Sequence, residues 1–152
     1  MTFFCELIEI TNKYFLMPIT YITQPKITAQ DFIDILEKST LGLRRPLADL
    51  AAMELMFQHG NVYIGTYDRS KLVGLARVMT DFVYTSYLSD LAIDVEYQHQ
   101  GIGKALIMEV EKFIPRAKVI LISAPAAEGY YPKIGMQNQP HCYVLNNIDE
   151  LK

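Results

Sequence analysis

The sequence predicts a mixed α/β fold of the α+β kind, a mainly antiparallel sheet flanked by helices, and three observations carry that reading. The segments "NVYIGTYD" and "KLVGLARVMTD" are rich in Val, Ile and Tyr and are separated by the polar "DRS", the pattern of an antiparallel hairpin. A segment beginning at Gly101 places Ile102, Leu106, Val110 and Phe113 on one face with Lys104 and Glu111 opposite, an amphipathic helix set between two strand-like runs. A chain of 152 residues that is 51% hydrophobic, with no low-complexity tract, has the size of one domain with a real core.

Each element has a local signal. From Pro18, "PITYIT" has strand character, and "TAQDFIDILEK" then offers Thr28 as an N-cap and Asp31 in the first turn, so a helix is expected over 28–38. "STLGLRRPL" breaks that pattern. "PLADLAAMELMFQH" begins a second helix with Pro46 in its first turn and stops before Gly60. After the hairpin, "TSYLSDLAID" is another strand and the Gly101 helix ends near Pro115. "AKVILISA" suits a buried strand, "PAAEGYYPKIGM" a short helix interrupted by Gly129 and Pro132, and "HCYVLNN" a last strand. The order of elements and the absence of a linker point to one domain.

Charge and composition exclude several classes. A net charge of -3 provides no broad basic field, so neither nucleic acid nor an anionic membrane is expected as a partner, and a cationic small substrate fits better. Cys5 and Cys142 match no metal-ligand or redox spacing and read as reduced thiols of a cytoplasmic protein. Three scattered histidines make no metal site. The apolar opening lacks a basic leading region and carries Glu6 and Glu9, so it reads as neither a signal nor a membrane span.

The motif that carries chemistry is "QHQGIGKA". A strand entering a glycine-bearing turn and then a helix aims several backbone N–H groups at one point, aided by the positive end of the helix dipole. Alone, two glycines serve a tight turn as readily as a ligand cradle. A Walker loop is excluded because Ala105 follows Lys104, leaving no hydroxyl for magnesium; a dinucleotide fingerprint needs a third spaced glycine and a later ribose-binding acid.

The run Gln98-His99-Gln100-Gly101-Ile102-Gly103 resembles the Gln/Arg-x-x-Gly-x-Gly/Ala signature of the GNAT acyltransferases. "LSDLAID" before it is similar to that family's central strand, and "APAAEGYYPKIGM" after it to the Ala-x-x-Phe-Tyr-x-Lys-x-Gly-Phe segment. The resemblance covers about residues 61 to 146 and implies a GNAT-like domain over 17–152, with residues 1–16 as an additional segment: an extra strand, an arm of a homodimer, or the product of an upstream start codon.

The resemblance implies acetyl-CoA as donor. The amides of Gln100, Gly101, Gly103 and Lys104 would hold its pyrophosphate, with Gln98 supporting the turn. Ile93 and Val95 would offer backbone groups to pantetheine, the Ile93 N–H lying near the acetyl carbonyl. Tyr131, rather than Tyr130, aligns with the tyrosine that protonates the departing thiolate; Gly129 and Pro132 flank the pair and bear on its register. For the base that deprotonates the amine, Asp90 comes first, ahead of Glu54 and Asp81, although a carboxylate at a strand start also serves as a structural acceptor.

Other residues draw plainer readings. His141 and Cys142 are neighbours on an expected strand and point to opposite faces, which prevents a nucleophile–base pair. His99 reads as a loop residue within reach of a phosphate or adenine, and His59 as a helix-end residue. Arg44 and Arg45 border the acceptor region, where they suit a substrate carboxylate, the CoA 3'-phosphate or a salt bridge. Phe82, Tyr84 and Tyr87 suit an acceptor pocket or the core. The expected activity is transfer of an acetyl group to a primary amine, of a small molecule or a protein, by direct attack in a ternary complex without metal. A non-catalytic acyl-CoA sensor on the same fold is the alternative.

Overall fold

The computed structural model describes residues 19–152, so the additional segment 1–16 and Cys5 lie outside the described residues. The described chain falls into two compact units, one ending at Ile122 and one spanning Ser123–Lys152.

The first unit is the expected mixed α/β architecture. A five-stranded sheet runs in sequence order through β1 (Thr20–Thr23), β2 (Val62–Asp68), β3 (Lys71–Thr80), β4 (Thr85–Ile93) and β5 (Lys118–Ile120). The first four strands pair antiparallel and β5 joins β4 in parallel. A parallel neighbour needs a crossover, which α3 (Ile102–Phe113) supplies. Helices α1 (Ala29–Lys38) and α2 (Leu50–Gln58) complete the unit.

Helix α1 starts where its sequence predicts. The Thr28 Oγ1 accepts the Asp31 N–H at 3.1 Å while the Thr28 N–H donates to Asp31 Oδ2 at 2.8 Å, a reciprocal capping box. Helix α2 begins at Leu50 rather than near Pro46, because the Asp49 carboxylate accepts the Ala52 N–H at 3.0 Å and so satisfies a first-turn donor. Pro46 sits in the turn before it, where its carbonyl accepts the Asp49 N–H.

Each face of the sheet is covered. Ile102, Leu106 and Val110 of α3 pack with Val62, Ile64, Ala76, Val78 and Leu88, and Ile114, not Phe113, closes that apolar face. Phe113 is exposed and meets Phe82 edge-on. On the opposite face Phe32, Ile33, Ile35 and Leu36 of α1 and Met53 of α2 pack with Tyr63, Leu75 and Ala92.

A bulge in β4 sets which way its side chains face. Arg77 pairs with Asp90 but Val78 pairs with Leu88, so Ser89 is the extra residue. Leu88 therefore faces α3 while Ala92 faces α1, although strict alternation would put both on one side. Asp90 is turned with Ala92 away from the α3 core.

Strand β5 is shorter than "AKVILISA" suggests, pairing only Lys118–Ile120 with Thr85–Tyr87. In the second unit a short helix α4 (Tyr130–Lys133) forms at the expected place. The last strand expected over 141–147 does not form: Tyr143 is 88% exposed, Val144 and Leu145 are exposed, and the Cys142 N–H closes a turn on Gln139 O. Its apolar run Cys142–Leu145 has no strand partner among the described residues.

Candidate functional site

At the end of β4 the chain makes a tightly specified turn. Asp94 Oδ1 accepts the Glu96 N–H at 3.0 Å and starts a single 3-10 turn, Val95–Tyr97. Gln98 Nε2 then reaches back to donate to Ile93 O at 3.1 Å, tying the glycine turn to the strand end, and Gln100 Nε2 donates to Glu96 O at 3.3 Å. His99 (φ 61°) and Gly101 (φ 83°) are both left-handed. Glycine takes that conformation without the Cβ penalty, and a Cβ on Gly101 would meet nothing within 4 Å, so its need here is conformational rather than steric.

Gly101 N-caps α3 and has no side chain to cap with. The helix's first internal bond is Ala105 N to Gly101 O, so the N–H groups of Ile102, Gly103 and Lys104 have no acceptor within the helix. They converge with the positive end of the helix dipole on a solvent-facing turn, an arrangement suited to an anion.

The turn is braced from the hairpin. Lys71 Nζ bridges Asp94 Oδ2 at 3.2 Å and Glu96 Oε2 at 3.4 Å and sits 4.8 Å from the Tyr97 ring centroid; the Tyr97 hydroxyl donates to Asp68 at 2.8 Å. Thr66, fully buried, lies under the same helix end beside Gly74, where a Cβ would sit 3.3 Å from its Oγ1 and 3.4 Å from Ile102.

The strand edge leading to the turn is open. β5 stops pairing at Tyr87, so from Leu88 to Ile93 that edge has no strand beside it among the described residues. The Asp94 N–H donates to Val73 O at 3.0 Å on the β3 side. By antiparallel alternation the backbone groups of Ile93 and Leu91 therefore face the open side. Val95 has left the strand and lies, 55% exposed, in the 3-10 turn. The edge-facing partner of Ile93 is thus Leu91, which a period of two starting from the strand's true end would have identified.

Asp90 does not stand free. Its Oδ1 accepts Arg45 Nε at 2.6 Å and its Oδ2 accepts Arg77 Nε at 2.5 Å, with its side chain 1% exposed. Arg77 also donates to Met56 O at 2.9 Å and to Ser89 Oγ at 2.8 Å, and lies over the Phe32 ring; Arg45 donates to Ser89 O at 2.9 Å. A lone arginine in the apolar run "VGLARVM" was the available signal for this buried network, because a buried guanidinium needs acceptors.

The remaining candidates are dispersed. Glu54 is exposed and accepts from Gln58. Asp81 Oδ1 accepts the N–H groups of Val83, Tyr84 and Thr85, which hold its carboxyl below the usual aspartate range; it shapes the β3–β4 turn at the far end of β4. Phe82 and Tyr84 are exposed in that turn and Tyr87 is half-buried. Arg44, His59 and His99 are exposed, and Cys142 is an exposed free thiol. Among the described residues no group of three or more His, Cys, Asp or Glu side chains is placed to hold a metal ion, and no helix is long and apolar enough to cross a membrane.

In the second unit, Tyr131 is the second residue of α4, next to Tyr130, the rings meeting edge-on at 5.3 Å between centroids. Burial first, and then Tyr130, push its hydroxyl above the ordinary tyrosine value.

Against this geometry, the family model described as an acetyltransferase (GNAT) domain matches residues 38–149. The chain belongs to the GNAT acetyltransferase family. Among curated relatives it is 29% identical over 73 residues to GCN5-related N-acetyltransferase 2, chloroplastic, of Arabidopsis thaliana, covering 46% of this chain and 28% of that protein. It is 26% identical over 111 residues to histone acetyltransferase TAP1 of Glycine max, covering 64% of this chain and 47% of that one. The chain thus spans half or less of these two relatives' length. The GNAT fold is shared with solved structures: a GNAT-family acetyltransferase of Streptococcus pneumoniae (TM-score 0.65, 21% identity, 86% of this chain and 100% of that one) and a probable acetyltransferase of Staphylococcus aureus (0.66, 22%, 83% and 97%). A predicted acetyltransferase of Clostridium acetobutylicum, whose structure contains acetyl-CoA, superposes with a TM-score of 0.62 at 15% identity over 85% of this chain and 96% of that one.

Proposed function

We propose that this GNAT member is an N-acetyltransferase that passes the acetyl group of acetyl-CoA directly to a primary amine, borne by a small molecule or a protein. The observation that carries the donor assignment is the turn from Gln98 to Lys104, where a left-handed, side-chain-free N-cap leaves the first amides of α3 for an anion. In this reading the amides of Gly103 and Lys104, with those of Gln100 and Gly101, take the pyrophosphate, and Gln98 fixes the turn through Ile93 O. The pantetheine arm adds to the open edge of β4 like a strand, using the backbone of Ile93 and Leu91 rather than Val95.

The amine nitrogen attacks the thioester carbonyl, the carbon–sulfur bond breaks, and the thiolate takes a proton. Tyr131 is the proposed donor of that proton, supported by the match of "AAEGYYPKIGM" and by the phenol side chain, which carries its proton at neutral pH. Asp90, doubly ion-paired, serves in this reading as a structural counter-ion, and the amine loses its proton to solvent. No metal takes part.

Tyr131→Phe tests the mechanism. Transfer is expected to fall by about 10²-fold or more, the range for loss of a general acid, with CoA affinity retained. Unchanged transfer in that variant removes Tyr131 from the chemistry. CoA binding without thiol release across a broad amine panel would favour the acyl-CoA sensor instead.

A further inference from the structure

The Arg45–Asp90–Arg77 cluster carries two guanidinium charges and one carboxylate, an excess of one positive charge beside the β4 bulge. The excess sits on Arg45. Arg77 is 5% exposed at its side chain and gives Met56 O, in the last turn of α2, one of its hydrogen bonds, so it has both Asp90 and the negative helix end. Arg45 is 19% exposed at its side chain and shares only the other oxygen of Asp90. Its Nε, Nη1 and Nη2 each make one bond, to Asp90, Arg44 O and Ser89 O, leaving one N–H on each terminal nitrogen without an acceptor among the described residues. The acids of α2 and its cap are engaged locally, Asp49 with Ala52 and Glu54 with Gln58, and Arg44 next door adds positive charge.

The position of this charge follows from the strand. A donor arm that starts at the glycine turn and runs back along the open edge past Ile93 and Leu91 points its reacting end toward Ser89, about 7 Å further on at two residues of strand rise. Beyond Ser89 the edge closes, since β5 pairs from Tyr87 downward. The carbonyl of Ser89 is the atom that Arg45 holds. An acceptor approaching the acetyl group therefore meets the free N–H groups of Arg45.

Resting on the acetyl-transfer reading, we propose that Arg45 recognises the acceptor and selects primary amines that also carry a carboxylate, such as amino acids or an acidic peptide end. A planar guanidinium with a free N–H on each terminal nitrogen suits a carboxylate and repels a second ammonium group.

The test compares each amino acid with its own amide, and with a diamine, as acceptors for the intact chain with acetyl-CoA, every kcat/KM corrected for the neutral-amine fraction. The carboxylate form is expected to win by about tenfold or more, the difference between a charged and a neutral hydrogen bond, and the preference should shrink with added salt. In Arg45→Gln the preference should fall to about one while CoA affinity is unchanged, and Arg45→Lys should keep part of it. If Arg45→Gln fails to fold, the wild-type ratio and its salt dependence decide. Preference for the amide or the diamine, or an undiminished carboxylate preference in folded Arg45→Gln, overturns the proposal. Calorimetric binding of amino acids and their amides to the CoA-loaded chain separates the two readings. Carboxylate-selective binding without transfer leaves recognition standing and removes acetyl transfer, whereas transfer without selectivity does the reverse.

Discussion

Replacing Asp90 by Asn decides between a catalytic base and a structural counter-ion, because the two roles predict opposite pairs of outcomes. The substitution preserves size and removes the charge that two guanidinium groups share at 2.6 and 2.5 Å. Removing one partner of a buried ion pair costs roughly 3–5 kcal/mol, mostly because the surviving charge remains buried and uncompensated. Here the lower end applies: Arg45 is 19% exposed and Arg77 keeps Met56 O and Ser89 Oγ. At about 3 kcal/mol, and about 2–4 °C per kcal/mol for a chain of this size, the melting temperature should fall by roughly 6–12 °C. Thermal unfolding of wild type and Asp90→Asn, with urea titration to show a lower midpoint at constant slope, measures this. Transfer assayed well below the melting point should survive in the folded fraction. A melting temperature within about 2 °C of wild type together with abolished transfer would refute the counter-ion argument and restore Asp90 as the base.

Gly101→Ala places a Cβ residue at φ 83° in open space, so it should cost about 1–2 kcal/mol of stability from conformation alone and weaken CoA binding, read by calorimetry. Tyr63, 8% exposed with its hydroxyl donating to Phe57 O at 2.6 Å, has its pKa pushed up to about 12, chiefly by burial. The folded state thus keeps a proton that the unfolded chain loses above about pH 10, so stability should fall by roughly 1.4 kcal/mol per pH unit between pH 10 and 12. Tyr63→Phe should be less stable at pH 8 by about 1 kcal/mol and lack that alkaline decline, as urea titrations at several pH values would show. Thr28→Ala removes the hydroxyl of the α1 capping box and should cost about 1 kcal/mol, measured in the same way.

Local signals in the chain anticipated the elements whose causes are local. The Thr28 cap, the hairpin across Arg69 and Ser70, the α3 stripe of Ile102, Leu106 and Val110, and the glycine turn each depend on residues within a few positions of one another. Where a distant neighbour supplies the missing half, the local pattern misled. "HCYVLNN" carries a short apolar run like a strand but has no strand partner among the described residues, and "AKVILISA" pairs over only three residues. The order of motifs around "QHQGIGKA" likewise carried the family, since a strand, a side-chain-free cap and a helix suffice to present amides to an anion.

Tertiary structure alone decided what surrounds that turn. The "LSDLAID" segment alternates buried and half-buried residues without a break, so nothing in it reveals that Ser89 is looped out and that Leu88 and Ala92 face opposite cores. That bulge depends on the register with β3, and it delivers Asp90 to Arg77, 13 residues earlier, and to Arg45, 45 residues earlier. Whether a carboxylate is a base or a counter-ion depends on which charges reach its oxygens, and those came from two separate elements. The residues therefore determined the fold class and the glycine turn through short-range hydrogen bonding and periodicity, whereas the ion pairs of Asp90, the edge from Leu88 to Ile93 with no strand beside it among the described residues and the surplus charge on Arg45 arose from strand pairing and long-range packing.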